Sequence, residues 1–582
     1  MQLSRSKQGA AALLGILFFT FRFGLLSTAC AEPAEPSDRS GVFADYLVGQ
    51  HASSLDDPDA AAEAFLQALE ATPSQPELIG QAFLASAIAG RPDAVGLARL
   101  LPADPSAQLL LANASALAKD WPAAERRLQG LPRDGLTQVL RPMLLAWAQQ
   151  GAGHTDAALA TLRRTDAALA TLPPFADGEQ FSPAYALHAG LIADQAGREQ
   201  EAAAFYERAQ ARFGTSNLRL AQIIASFQDR HGQHAQALHT LSRAAETVPE
   251  LGITLPGLVA DLQHPPVATA TEGMAEAYLA AAGTLQQQDQ TDSAMLMLRF
   301  AFALHPGFTA GQVLAADILQ QQHRPARAAR ALTRLPGNDP LIALVRLRQA
   351  RLAQQTGKTL TALHEFEALA HDYPQSPLPY AQQAAILRKQ GRFADAIGAY
   401  DQALARTGTA SPASWPLFYD RGVAYELAQQ WSRAEADFKR ALALAPNEPV
   451  VLNYLGYSWA DMGVHLAQAR KMLETAADLA PTDGAIVDSL GWAMLRQGNT
   501  ADAVRSLERA AELQPEDATV NAHLGDAYWA ADRRLEASYQ WQRALTLHPE
   551  PAYAEKLKAK LDDSLRQTAA APAASGSVRR VP

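Results

Sequence analysis

Apolar positions toward the C-terminus recur at the spacing of a helix face. Ala434, Phe438 and Ala441 stand at i, i+4 and i+7. So do Ala469, Leu473 and Ala476, then Ala503, Leu507 and Ala510, then Ala537, Trp541 and Ala544. A glycine precedes each set by twelve or thirteen residues: Gly422, Gly456, Gly491 and Gly525, which lie 34, 35 and 34 residues apart. Five residues past each set comes a proline: Pro446, Pro481, Pro515 and Pro549. Proline suits a helix boundary and not its interior. Each period therefore predicts two helices, the first carrying the glycine and the second the small–bulky–small face. A mid-helix glycine costs about 1 kcal/mol against alanine, so four in register need a compensating reason. Close approach of two helix backbones supplies one. The expected pairing sets each glycine against the alanine that opens the second helix, with the bulky residue turned to the next period.

The register continues upstream. Ala282, Ala316, Ala350 and Ala384 stand at steps of 34, with Ala294, Ala328, Ala362 and Ala396 twelve residues later. Gly190 with Ala202 and Tyr206, Ala225 with Ala237 and Leu241, and Gly49 with Ala61, Phe65, Ala68 and Pro73 fit as well. Ala112 with Ala124, and a poor unit near Leu144, fill the gap. The pattern resembles the tetratricopeptide repeat (TPR), one helix–turn–helix per period of 34 residues. Roughly fourteen units fit, about eight of them as good matches. One such pair cannot bury its apolar face alone, whereas stacked pairs can. The expected fold is all-α, a TPR α-solenoid forming a right-handed superhelix.

Breaks in the register set the expected organisation. Residues 1–31 read as a signal peptide and 32–40 as a linker. Divergent TPR-like repeats occupy 41–250, and an insertion with Pro256, Pro265 and Pro266 occupies 251–271. C-terminal repeats run over 272–550, followed by a polar capping helix over 551–567 and a disordered Ala/Pro/Ser tail over 568–582. The octet at Thr155–Leu162 repeats at Thr165–Leu172, lengthening one helix or loop.

The N-terminus changes the picture most. Arg5 and Lys7 precede an apolar run from Ala10 to Phe21, the layout of an export signal. Ala29 and Ala31 flank Cys30, the single cysteine. Cleavage after Ala31 would release a soluble periplasmic protein beginning at Glu32. Lipidation of Cys30 would instead give an outer-membrane lipoprotein, although Ser27 stands where a lipobox wants leucine. A chain with no other cysteine tolerates an oxidising compartment without disulfides.

Net charge is −10, and no basic stripe with interleaved aromatics exists, which disfavours nucleic acid. Catalytic patterns are missing. Gly357-Lys358-Thr359 ends like a phosphate loop, but Leu352 stands where its first glycine belongs. His231, His234 and His239 lack a cysteine or paired carboxylate and read as exposed helix-end residues. The chain reads as no enzyme, with no cofactor and no metal. Residues beside the glycines on the first helices would line a partner groove: Tyr419, Asn453, Tyr457, Asp488, Trp492, Arg496 and Trp529. Exposed Tyr, Trp and Arg are the side chains that anchor partners. A carboxylate clamp of the kind some TPR proteins use is poorly served, since only Asn453 and Arg496 fit it.

The block Leu452-Asn453-Tyr454-Leu455-Gly456-Tyr457, with Asp488-Ser489-Leu490-Gly491-Trp492, Ala522-His523-Leu524-Gly525-Asp526 and Tyr46-Leu47-Val48-Gly49-Gln50-His51, resembles exported proteobacterial TPR proteins, many of them outer-membrane lipoproteins. Some of that group bring cell-wall hydrolases to a carboxyl-terminal processing protease. The resemblance implies a non-catalytic envelope scaffold that binds proteins or peptides, such as a protease adaptor. The alternative is an assembly factor for envelope polysaccharide or outer-membrane secretion machinery. Either touches a membrane only through a lipid anchor.

Overall fold

The computed structural model describes residues 36–55, 57–169, 182–213, 217–247, 249–332 and 337–570. Ala29, Cys30 and Ala31, the last three residues of the second octet (170–172) and the tail beyond Ala570 lie outside them. Among the described residues every regular element is a helix and none is a strand. None of those helices is long and apolar enough to cross a membrane. The helices pair in sequence as antiparallel hairpins, and Cα packing groups the chain into two compact units, Met1–Leu111 and Ala112–Pro582.

In the first unit, helices Pro36–Ser54 and Pro58–Ala71 form a hairpin in which Gly49 lies under the Phe65 ring. A Cβ at Gly49 would stand 2.6 Å from that ring. Pro58 opens the second helix, and Asp57 caps it by accepting from the Ala60 amide.

In the second unit the same device recurs with different bulky partners. Gly190 sits under Tyr206, Gly422 under Phe438, Gly456 under Leu473, Gly491 under Leu507 and Gly525 under Trp541. This corrects the expected pairing. The alanine of the second helix does approach, as the Ala469 and Ala537 carbonyls show, but the closest neighbour is the bulky side chain of the same hairpin. That side chain also reaches onward: the Phe438 ring lies 5.1 Å from Tyr454 in the following hairpin. Full burial of such a residue stabilises by roughly 1.5–3 kcal/mol, more than the glycine costs in helix propensity. The four prolines Pro446, Pro481, Pro515 and Pro549 sit in the turns that leave the second helices. Turns within the hairpins need a left-handed residue; Gly463 and Gly498 supply it without strain, whereas Gln429 and Asp532 adopt it despite their Cβ.

Two features depart from simple stacking. Helix Ala270–Gln287 packs on helix Gly135–Gly151, past two intervening hairpins. There Gly273 meets the Trp147 indole, and Tyr278 donates to Asn113 Oδ1 at 3.0 Å. The segment at Pro249–Ala260, a 3₁₀ turn and a short helix, reaches forward to helix Ile342–Gln355. Ile253 is buried with Ala343, Leu347 and Phe366, and Glu250 pairs with Arg351. Gly257 fits flush against the Pro340 carbonyl. Helix Pro551–Ala570 follows the last hairpin and buries Leu557 with Trp541 and Tyr528.

Candidate functional site

Helix Gly484–Arg496 begins at Asp483, whose carboxylate accepts from the Ala485 and Ile486 amides. The next first helix, Ala518–Ala530, begins the same way at Asp517, which accepts from Thr519 and Val520. These caps fix where each helix starts and hence the rotation of its face. On the first of them Asp488, Trp492 and Arg496 follow at steps of four and form one stripe.

Asp488 is 5% exposed and His523, one period later on the neighbouring helix, 4%. Asp488 Oδ2 lies 2.8 Å from His523 Nδ1. The Trp492 indole stacks on the same imidazole, centroids 4.3 Å apart and planes 17° from parallel, and the Tyr457 ring lies 6.3 Å away. Burial disfavours the charged imidazole, but the charge and hydrogen bond of Asp488 outweigh it, with help from Asp526 and against Lys560, so His523 holds its proton more tightly than a free histidine.

Asn453, Tyr457, Asp488, Ser489, Asp517 and Thr519 line a cleft of about 260 Å³ together with Tyr454 and two small apolar residues. Three successive first helices, Pro449–Met462, Gly484–Arg496 and Ala518–Ala530, contribute to it. The Tyr457 hydroxyl is pushed up to about 12 by burial and then by Asp461, Asp488 and Glu426. Tyr553, on the terminal helix, is raised by burial and by Asp526, Tyr457, Asp488 and Asp461.

The seven groove residues read from sequence therefore divide. Asn453, Tyr457 and Asp488 meet at the cleft, and Trp492 backs it through His523. Arg496 is exposed, its guanidinium 5.8 Å from the Trp492 ring. Tyr419 lies elsewhere, edge-on to Tyr454 at 5.6 Å and half-buried. Trp529 packs on Trp541 at 5.4 Å, covered by the Arg534 guanidinium at 3.7 Å. These two serve packing between helices.

Sequence reasoning missed His523 as a partner of Asp488. The signal was available: an acid and a histidine 35 residues apart occupy nearly equivalent positions of adjacent repeats. Among the three histidines expected to be exposed, His234 and His239 are, but His231 is half-buried, its ring 4.5 Å from Phe227. The aromatic stack in that hairpin takes it in. Among the described residues no group of three His, Cys, Asp or Glu is placed to hold a metal.

The family model described as "Tetratricopeptide repeat" matches residues 313–377, 382–449 and 489–554. A TPR repeat-containing protein of Pseudomonas aeruginosa is 31% identical over 188 residues, which is 32% of this chain and 31% of that protein. The chain thus spans about a third of that relative's length. Among solved structures, the APC/C hetero-tetramer Cut9-Hcn1 aligns over 90% of this chain and 97% of its own at 15% identity and a TM-score of 0.37. A tetratricopeptide repeat protein from Parabacteroides merdae aligns over 44% and 97% at 16% identity, TM-score 0.34. Helical hairpins recurring at about 34 residues, several with a glycine seated under a bulky side chain, and a family model that fits three stretches of them show that residues 313–377, 382–449 and 489–554 are tetratricopeptide repeats.

Proposed function

We propose that the chain is a non-catalytic scaffold of the bacterial envelope that binds proteins or peptides through the first helices of its last repeats, acting as an adaptor for an envelope protease. The observation that carries this reading is the cleft over Asp488, Asn453 and Tyr457: three first helices present polar side chains to one opening, and Asp488 and Asn453 each keep a buried acceptor atom without a partner. Repeat solenoids use such surfaces for binding. The N-terminal basic–apolar pattern with Ala29, Cys30 and Ala31 supports export.

Affinity purification from solubilised envelopes tests the reading. The wild-type chain is expected to bring down a protease together with cell-wall hydrolases. A polysaccharide synthase or secretin subunit in their place would shift the assignment to assembly. The double variant Tyr457→Ala/Trp492→Ala, checked for normal helicity and melting, is expected to lose its partners, since an aromatic hot spot contributes about 2 kcal/mol or more. Full retention of every partner would move the binding surface elsewhere. Mass spectrometry of the mature chain separates a free Glu32 from an acylated Cys30, and an intact Met1 would end the case for export.

A further inference from the structure

The cleft over Asp488 carries chemistry that the repeat's packing does not require. Asp488 gives one oxygen, Oδ2, to His523. Its other oxygen, Oδ1, is buried with no hydrogen-bond donor, and the Asn453 carbonyl oxygen is buried in the same condition. Both residues line the cleft, and no lysine or arginine does. Asp517 adds a second acidic side chain to the lining. A buried carboxylate oxygen without a donor is costly unless something meets it. The two buried oxygens thus lack donors, the lining lacks positive charge, and the cleft of about 260 Å³ has room for one long side chain.

We propose that this cleft takes the cationic side chain of a lysine or arginine carried by an extended peptide segment, with Asp488 Oδ1 and the Asn453 carbonyl as its acceptors. The proposal rests on the scaffold reading above and names the chemistry its partner brings. An ammonium or guanidinium is the group that supplies both several N–H donors and a positive charge. His523 makes the site proton-sensitive. With its imidazole neutral, Nδ1–H still donates to Oδ2 and the carboxylate charge is left for the guest. With its imidazole charged, the pair is already balanced. Proton and guest therefore compete for one carboxylate, against the fixed background of Asp526, Lys560, Tyr457 and Tyr553 on the surrounding helices.

Fluorescence anisotropy with the full chain and labelled, end-capped pentapeptides Ala-Ala-X-Ala-Ala tests this, with X as Arg, Lys, Leu or Glu. The Arg and Lys peptides are expected to bind at least about tenfold more tightly than the Leu and Glu peptides, a preference of charge-complementary pairing. Their affinity is expected to weaken as pH is lowered from about 8 to about 6. Asp488→Asn should remove the preference. Because Asp488 is buried, Thr519→Lys is the second variant. It lies on the exposed first turn, and its tethered ammonium is expected to block the Arg peptide by about tenfold or more with unchanged melting. Equal binding of all four peptides, a preference for Leu or Glu, no binding at all, or an unaffected Thr519→Lys would each overturn the proposal. If that happens while Tyr457→Ala/Trp492→Ala still loses its envelope partners, the scaffold reading stands without the cation.

Discussion

Two tryptophan–histidine pairs in the second unit, built from the same residue types, behave in opposite ways. Trp147, on helix Gly135–Gly151, donates Nε1–H to His188 Nδ1 at 2.9 Å with the rings nearly perpendicular. Both are fully buried, and burial alone pushes His188 down to about 3. Trp492 instead stacks flat on His523, and Asp488 raises that histidine. The difference is the carboxylate. Where a buried histidine faces only an indole donor and apolar walls, it stays neutral and its pair is a structural pin. Where an aspartate joins it beside an open cleft, the histidine can carry charge. The surroundings follow suit. The region around Trp147 is tied by contacts that skip repeats, with Gly273 on the indole and Tyr278 on Asn113. In the last four hairpins the Tyr457 ring comes only within 6.3 Å of His523 across one repeat, and the cleft there leaves the Asp488 and Asn453 acceptors open.

The sharpest way to break this contrast is steric. A Cβ at Gly273 would lie 2.2 Å from the Trp147 ring, which is fully buried and has nowhere to move. Gly273→Leu is expected to destabilise the second unit beyond the roughly 1–3 kcal/mol usual for overpacking. Gly491→Leu, which presses on the more yielding Leu507 at 2.6 Å, should stay within that range. Thermal or urea unfolding of both variants decides the order, and equal losses would show that repeat-skipping contact at Trp147 adds no rigidity.

Acid provides the second test. His188 has a folded pKa near 3 against about 6.5 unfolded, so the unfolded chain binds the proton more tightly. Stability from this site is whole above about pH 6.5 and falls as pH drops toward 3, by about 3 kcal/mol at pH 4. Protonation would also remove the acceptor that Trp147 uses. Hydrogen exchange of residues 135–195 is expected to quicken in mild acid before that of residues 484–546, and His188→Gln should blunt the effect.

The smallest expected effect has the opposite sign. His523 is raised in the folded state, so the native chain holds its proton more tightly than the unfolded chain. That stabilisation is complete below about pH 6.5 and is lost as pH rises through the raised value. Burial opposes the gain from Asp488, which keeps it modest. A slight fall in the protection of residues 484–546 from neutral to mildly alkaline pH, absent in His523→Gln, would bear this out. A rise would mean that Asp488 does not govern the imidazole.

The sequence by itself determined the hairpins. Glycine, small–bulky–small face and proline are local signals within one period, and neighbouring periods must stack because neither can bury its face alone. It also brought Asn453, Tyr457 and Asp488 to one surface, since Asn453 and Asp488 stand three residues before their glycines and Tyr457 lies one helical turn beyond Asn453. It misplaced Tyr419 and Trp529, because an aromatic beside a glycine can face either an opening or the next helix, and the rotation that decides this depends on caps and neighbours. The poorest repeat by pattern, near Leu144, holds the most enclosed tryptophan of the chain, pressed by a helix more than a hundred residues later. No 34-residue period encodes that contact. It arises where the fold brings helices several repeats apart into contact, and only the tertiary structure decides which glycine lies opposite which indole, or which aspartate finds a histidine to raise.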